Sequence, residues 1–488
     1  MIGFSEKRGA AECAFDGATL TVSTGRIRRE WRVVPNGLAT TSLRLWPDGR
    51  EWIAPPHEAP PACDWRLFQL VEADAVGELT AAEVRVVPRE GVVDEHLETS
   101  LVFNYAAAAV QVRHVVWVFP DAVGLRTRID LRALHAKGTE EWPGYLVDSH
   151  AERLRVAVAQ TARLAAGYYN DTQHRNSLLT PMLKEERHEG ALSDDGLEVY
   201  DWANLLHLRR ADDGLALVKE SHKCVNQEGV DTGAFVLTPD GVRVTGLGWR
   251  VNGYGDPAPW IRTDAWHEGW ANWCVLYAGG EAEGLRAVKA FDRTRFGFDP
   301  ARDVYMNANT WGSRGAGDLS RAAAAEDSVL QEIASCADLG IDVLQIDDGW
   351  EFAGDMPFDA TDWRPVPARY PDGWGKVRAA AEQAGVKLGL WFAWTAPIER
   401  IKENCDQGGF LYLKMDYANL FDYPAIWGWR AYNEQQGVVP LLTSGAFKPL
   451  FSSVWAERRM ADRLATSVIS RLPRPPDAMP SSLWLEKR

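Results

Sequence analysis

Val343-Leu344-Gln345-Ile346-Asp347-Asp348-Gly349-Trp350 is the stretch that decides how the chain is read. Its short, apolar, β-branched opening predicts a strand buried on both faces, as in a parallel sheet. The run ends abruptly in two adjacent carboxylates, a glycine and an aromatic. In parallel α/β folds the carboxyl ends of the strands face the crevice where ligands bind. An Asp-Gly turn with Asp347 capping the next element is the plainer alternative. A second run, Leu411-Tyr412-Leu413-Lys414-Met415-Asp416, reads as another short strand ending in a lysine and a carboxylate. Two strands that deliver acids at one end of a sheet predict a site.

Composition bounds the chemistry. At 488 residues the chain is too long for one core and predicts two or three domains. A hydrophobic share of 46% and a charged share of 25% are those of a globular protein. The formal net charge of -15 argues against nucleic acid or an anionic membrane as partner and favours a neutral ligand. Six cysteines without a Cys-x-x-Cys pair predict reduced thiols, neither a disulfide framework nor a zinc site. With no apolar signal-peptide core and no apolar run of bilayer length, the expected location is the cytoplasm. Most of the 22 tryptophans are expected in cores, a few as stacking platforms for a sugar face.

Residues 1–295 carry short β-forming runs, among them Arg28–Val33, Thr99–Tyr105, Val110–Phe119, Val156–Gln160 and Trp273–Ala278, with turn residues between them. That pattern predicts a large β-sandwich. His174, His188, His207 and His222 lack metal-ligand spacing and are expected to be structural. A helix from Glu281 to about Phe291 leads into the second domain, 296–488. There a strand at Val304–Asn309 precedes a helix from about Leu319 to Leu339, with Asp318 or Ser320 as N-cap and Gly340 as stop. The Val343–Ile346 strand follows, then a helix near Trp374–Ala384, a strand at Lys387–Phe392, a helix at Ile398–Asn404 and the strand ending at Asp416. Strand and helix alternate as in βα repeats, so a TIM-type (β/α)8 barrel is expected over a doubly wound sheet. Without a Gly-x-Gly-x-x-Gly after the first strand, no dinucleotide or other cofactor is expected. After Asp416 the sequence predicts a helix over about Phe451–Ile469, then the proline-rich Arg471–Pro476, which cannot supply a buried strand. A full barrel takes about 250 residues, so the barrel is expected to stop after four βα units, with its open sheet soft or completed by another copy of the chain.

Six motifs carry a resemblance: Asn309-Thr310-Trp311, Ile346-Asp347-Asp348-Gly349-Trp350, Asp362-Trp363, Tyr370-Pro371-Asp372-Gly373, Leu388-Gly389-Leu390-Trp391-Phe392 and Lys414-Met415-Asp416. In order and spacing, the stretch from about 304 to 416 resembles the melibiase-type α-galactosidases, retaining glycoside hydrolases with a β-sandwich before a barrel. The resemblance implies that Asp347 and Asp348 accept hydrogen bonds from galactose hydroxyls, that Lys414 binds the ring, and that Asp416 is the nucleophile. It also implies that Trp311, Trp350 and Trp391 line the pocket, and that the partner is a galactoside or oligosaccharide.

Glycosidic cleavage passes through an oxocarbenium-like state, so a carboxylate must sit beneath the anomeric carbon. Lys414 and Asp416 share a facing by the strand's period of two, and the ammonium would keep the carboxylate ionised. A structural ion pair and a Mg²⁺ site are the competing uses of these groups, the second disfavoured by the lysine. Retention also needs a second carboxyl as proton donor. In the resembled family that acid lies on a later strand, and none is assigned here. The expectation is therefore a hydrolase by descent with weak or no turnover; a non-catalytic carbohydrate-binding protein and a galactosyl-transferring relative are the alternatives.

Overall fold

The computed structural model describes residues 3–55, 61–67, 70–72, 74–89, 93–135, 149–156, 161–167, 183–189, 198–200, 203, 205–220, 234–239, 241–245, 263–295, 304–315, 318–351, 362–393, 396–416, 454–459 and 463–468. The chain divides into two compact units, which part between residues 297 and 298.

The first unit is built on antiparallel sheet. A five-stranded meander runs through Phe4–Arg8, Ala11–Phe15, Thr19–Ser23, Ile27–Val34 and Gly37–Leu45. Its apolar residues alternate with polar ones, as a sheet with one covered face requires. A ten-stranded sheet lies against it, and Trp31, Trp65, Phe103 and His114 meet between the two. A four-stranded sheet contains the paired strands His150–Leu154 and Gly241–Thr245. The helix Glu281–Arg295 packs Val288 and Phe291 inward, four residues longer than its predicted end. Of the expected strand Val156–Gln160, Val156 forms a single bridge to Ile53, and 157–160 lie outside the described residues.

Buried charge is satisfied inside this unit. The Arg29 guanidinium is enclosed and pairs with Glu152 and Asp64, while Thr40 Oγ1 accepts from it at 2.7 Å. Glu220 accepts from Arg126, Trp273 and Arg295, and against the cost of burial the two arginines, helped by the Trp273 hydrogen bond, hold its carboxyl down at about 2. Cys13, Cys63, Cys274, Cys336 and Cys405 are free and buried, which agrees with reduced thiols; Cys224 lies outside the described residues.

The second unit carries the strands Asn307–Asn309, Val343–Ile346, Lys387–Ala393 and Tyr412–Asp416, paired in parallel in that order. Helices Glu326–Leu339, Gly375–Ala384 and Ile398–Gly408 connect them, each stopped by a left-handed glycine, at 340, 385 and 409. Leu344, Ile346, Leu388, Leu390 and Leu413 meet Val329, Ile333, Val377, Ala381 and Ile401 in one core. Four parallel strands with connecting helices match the expected βα order.

Among the described residues the parallel strands belong to an open six-stranded sheet, extended by antiparallel strands Val454–Arg459 and Arg463–Val468. Three expectations are corrected. First, those two strands occupy the segment expected to be a helix from Phe451 to Ile469. The uncovered edge of Tyr412–Asp416 offers a row of backbone donors and acceptors, and the 454–459 backbone takes them up. Second, the helix expected over Leu319–Leu339 is two, Asp318–Ala323 and Glu326–Leu339. Arg369 and Tyr370 donate to the carbonyls of Arg321 and Ala324, and the Glu326 amide donates to Arg369 O, so tertiary hydrogen bonds take the groups that would have continued the helix. Third, neither Asp318 nor Ser320 caps the longer helix. Ala325 stands at its N-cap with no side-chain bond, and Ser320 is buried, donating to Gly315 O and accepting from Gly312 N.

Candidate active site

Parallel register aligns the facing of Asn309, Gln345 and Gly389 across three strands, and Trp391 with Lys414 on the next layer. Gln345 is fully buried, and it fits because position 389 is glycine: a Cβ there would lie 2.3 Å from Gln345 Oε1. The opposite facing, Leu344, Ile346, Leu388, Leu390 and Leu413, is the helix-covered core. The polar residues thus gather on one face toward the carboxyl ends of the strands.

At that end Asp347 is 2% exposed and hydrogen-bonded on all sides. Lys414 Nζ donates to its Oδ2 at 2.8 Å, and Asn309 Nδ2 donates to the same oxygen at 2.9 Å. Its amide donates to Thr310 Oγ1 at 3.0 Å, and the Asp348 amide donates to its Oδ1 at 2.9 Å. The lysine therefore crosses the Lys387–Ala393 strand to reach its partner, a span of about 10 Å at the usual strand spacing. Residues from three strand ends hold one carboxylate.

Asp348 is held elsewhere. Its Oδ2 accepts from Arg321 Nε at 3.2 Å, and its carboxyl meets that of Glu351, which is 2% exposed. Burial, together with the charge of Asp348, pushes Glu351 well above the ordinary carboxylate range. Glu351 thus holds its proton more tightly than a free carboxyl does, and its Oε2 accepts from the Gly349 amide at 3.0 Å. Burial also raises Asp348, to about 6, against the pull of Arg321. The two adjacent aspartates thus serve different partners, where the sequence expects both to bind one sugar.

The tryptophans separate as well. Trp311 is half-buried beside Asn309, whose Oδ1 accepts from the Trp311 amide at 2.9 Å. Trp350 and Trp391 are enclosed, at 0% and 1% exposure, in a cluster with Trp363, Trp374 and Phe392, and Trp350 Nε1 donates to Trp391 O. Both are thus enclosed among the described residues, where the resemblance expects them to line a pocket. The backbone register sets Asp416 opposite Ala393, at the end of its strand, but its side chain lies outside the described residues.

Asn309, Thr310, Arg321 and Glu351 have roles that residue type alone did not assign. Asn309 and Thr310 stood in a quoted motif, and Glu351 directly follows the Asp-Asp-Gly-Trp run; nothing in the sequence marks Arg321. Among the described residues no group of three or more His, Cys, Asp or Glu could hold a metal. No described helix is long and apolar enough to cross a membrane.

No family model and no curated protein sequence matches this chain. Solved structures do. The α-galactosidase from Lactobacillus brevis matches with a TM-score of 0.52 at 11% identity, over 96% of this chain and 66% of that one. The galactosidase domain of an α-galactosidase–sucrose kinase matches with a TM-score of 0.51 at 12% identity, over 79% of this chain and 58% of that one. The GH36 α-galactosidase AgaB from Geobacillus stearothermophilus matches with a TM-score of 0.50 at 13% identity, over 80% and 58%. This chain spans less than two thirds of the length of each. The likeness is one of fold: the chain has an α-galactosidase-like architecture, in which a sandwich-type β unit precedes the sheet that carries Asp347 and Lys414.

Proposed function

We propose that this chain recognises a terminal α-linked galactose and belongs to a retaining glycoside hydrolase site. The observation that carries the reading is the Lys414–Asp347 pair at the carboxyl ends of parallel strands, with Asn309 on the same carboxylate and Trp311 beside it. A buried carboxylate and an ammonium group together offer an acceptor and donors, the polar pair a sugar's adjacent hydroxyls require. Asp347 accepts from ring hydroxyls, Lys414 donates to a ring oxygen, and Trp311 packs against the apolar sugar face. Asp348, held by Arg321 and Glu351, supports the turn on which Asp347 stands.

Asp416 is the proposed nucleophile, two residues beyond Lys414 on one strand. Its carboxylate oxygen bonds to the anomeric carbon as the bond to the leaving oxygen breaks, and the leaving oxygen takes a proton from a second carboxyl. Water then attacks the same carbon, releases Asp416 and gives up a proton, so the configuration is retained. We assign no residue as the second carboxyl. The fold likeness to α-galactosidases supports the substrate class.

Hydrolysis of an aryl α-galactoside by the purified chain tests the reading, with the first-formed sugar followed by NMR. Product of α configuration, abolished by Asp416→Ala, is the expected result. Galactose binding without product in any variant would assign carbohydrate binding alone. Turnover unchanged in Asp416→Ala would remove the nucleophile assignment.

A further inference from the structure

The turn that carries Asp347 holds a carboxyl pair that the proposed sugar chemistry does not use. Asp348 and Glu351 are each 2% exposed, and their carboxyl groups meet. Consecutive amides of the turn tie it to Asp347 and to Glu351. The Asp348 amide donates to Asp347 Oδ1 at 2.9 Å, and the Gly349 amide to Glu351 Oε2 at 3.0 Å. The turn has little slack. Arg369 Nη1 donates to Gly349 O at 2.7 Å, the Val366 amide donates to Trp350 O at 3.1 Å, and a Cβ at position 349 would lie 2.6 Å from Arg321 O. A displacement of Glu351 is therefore passed through one residue to the amide that holds Asp347. Among the described residues, the charged and titratable groups facing the pair are Arg321, Asp347, Arg369 and Tyr370. Arg321, on the helix Asp318–Ala323, donates to Asp348 Oδ2 at 3.2 Å and meets the exposed Asp318 at 3.6 Å. Asp347 carries Lys414 on its Oδ2, and Tyr370 donates to Ala324 O.

Two ionised carboxylates in contact inside a protein repel, so such a pair gives up its protons in separate steps. Burial raises Asp348 to about 6, and burial with the charge of Asp348 raises Glu351 well above the ordinary carboxyl range. The step that leaves both groups ionised is thus displaced upward. We propose that Glu351 is a positioning residue for Asp347, and that a proton held by the Asp348–Glu351 pair couples sugar recognition to pH. While the pair keeps that proton, the two carboxyls stay in contact and the turn keeps Asp347 on Lys414. When the proton leaves, two anions face each other beside Arg321. They part, and the Gly349 amide moves with Glu351. On the reading of Asp347 as the acceptor for a sugar hydroxyl, on which this inference rests, galactose binds more tightly to the protonated pair. Its affinity is full below the titration of the pair and falls as pH rises through it.

Calorimetric titration of the full chain with galactose between about pH 5 and pH 9 tests this, beside the carbon NMR signal of the Asp347 carboxyl. In the parent chain the affinity is expected to fall at least about fivefold across that range, the low end for coupling between two sites. The Asp347 signal is expected to shift over the same interval. Glu351→Gln, which has no carboxyl proton to lose, is expected to hold both its affinity and its Asp347 signal constant. A merely structural role for Glu351 would instead lower the affinity by the same factor at every pH. Should that variant unfold by circular dichroism, Asp348→Asn decides, because no second anion can then form beside Glu351. Equal pH dependence in parent and variant, or an Asp347 signal that stays fixed in the parent, would overturn the proposal. Absence of galactose binding at every pH would count against the sugar reading alone, and the Asp347 signal would then decide the role of the pair.

Discussion

Lys414 Nζ and Asp347 Oδ2 lie 2.8 Å apart although their strands are not neighbours: the Lys387–Ala393 strand runs between them. The contact ties the second strand of the sheet to the fourth, and both partners are largely withdrawn from solvent, at 12% and 3% side-chain exposure.

Breaking that pair leaves a buried carboxylate without its cation. Lys414→Met is expected to cost about 3 kcal/mol, the low end for a broken buried pair because the lysine keeps some contact with water. Asp347→Asn together with Lys414→Met is expected to recover part of that loss. Urea denaturation of the two variants checks it; a double variant no more stable than Lys414→Met would mean that Asn309 and the Asp348 amide already satisfy the carboxylate.

The Glu351 carboxyl sits well above its ordinary value of 4.5 because burial and Asp348 both oppose its ionisation. A raised folded-state value means that the native chain holds a proton which the unfolded chain releases. The associated stability is therefore full below about pH 4.5 and is lost as pH rises through the native value. Glu351→Gln keeps a donor to Asp348 and carries no charge. The variant is expected to lose less stability than the parent between pH 5 and pH 9, by thermal melting across that range. Parallel curves for the two proteins would show that Glu351 is ionised in the native state.

Gly349 turns the chain between the aspartates and Glu351 with a φ of 120°, and a Cβ there would meet Arg321 O at 2.6 Å. Neither the backbone conformation nor the backbone oxygen can give way cheaply. Gly349→Ala is expected to cost about 1–3 kcal/mol and, because the same turn sets Asp347, to weaken galactose binding as well. Thermal melting and galactose titration on one preparation check both; undiminished binding would show that Asp347 is positioned independently of the turn.

In the first unit Arg29 is enclosed with Glu152 and Asp64 as its partners, and burial raises the Asp64 carboxyl to about 6 in spite of the arginine. Arg29→Met strands two carboxylates in the core, with an expected loss of about 3–5 kcal/mol for a broken buried network. Guanidinium denaturation at pH 7 measures it, and repetition near pH 5, where Asp64 protonates more readily, is expected to show a smaller loss.

The sequence by itself determined what local chemistry controls. Alternation of β-branched and polar residues before position 295 required strands. Gly340, Gly385 and Gly409 stop their helices in the left-handed conformation that glycine adopts without penalty. Apolar runs ending in Asp347 and Lys414 required strands whose carboxyl ends carry charge. What the tertiary structure alone decided depends on groups distant in the chain. Ala322–Ala325 contains no helix breaker, yet the helix parts there because Arg369 and Tyr370, far along the sequence, take its carbonyls. The Val454–Arg459 segment pairs as a strand because an open sheet edge presents backbone groups to it, a partner that no window of sequence contains. Asp347 and Asp348 are chemically alike and adjacent, and only the folded positions of Lys414 and Arg321 separate them: electrostatic attraction follows distance in space, and residue spacing along a strand end does not fix which cation each carboxylate meets.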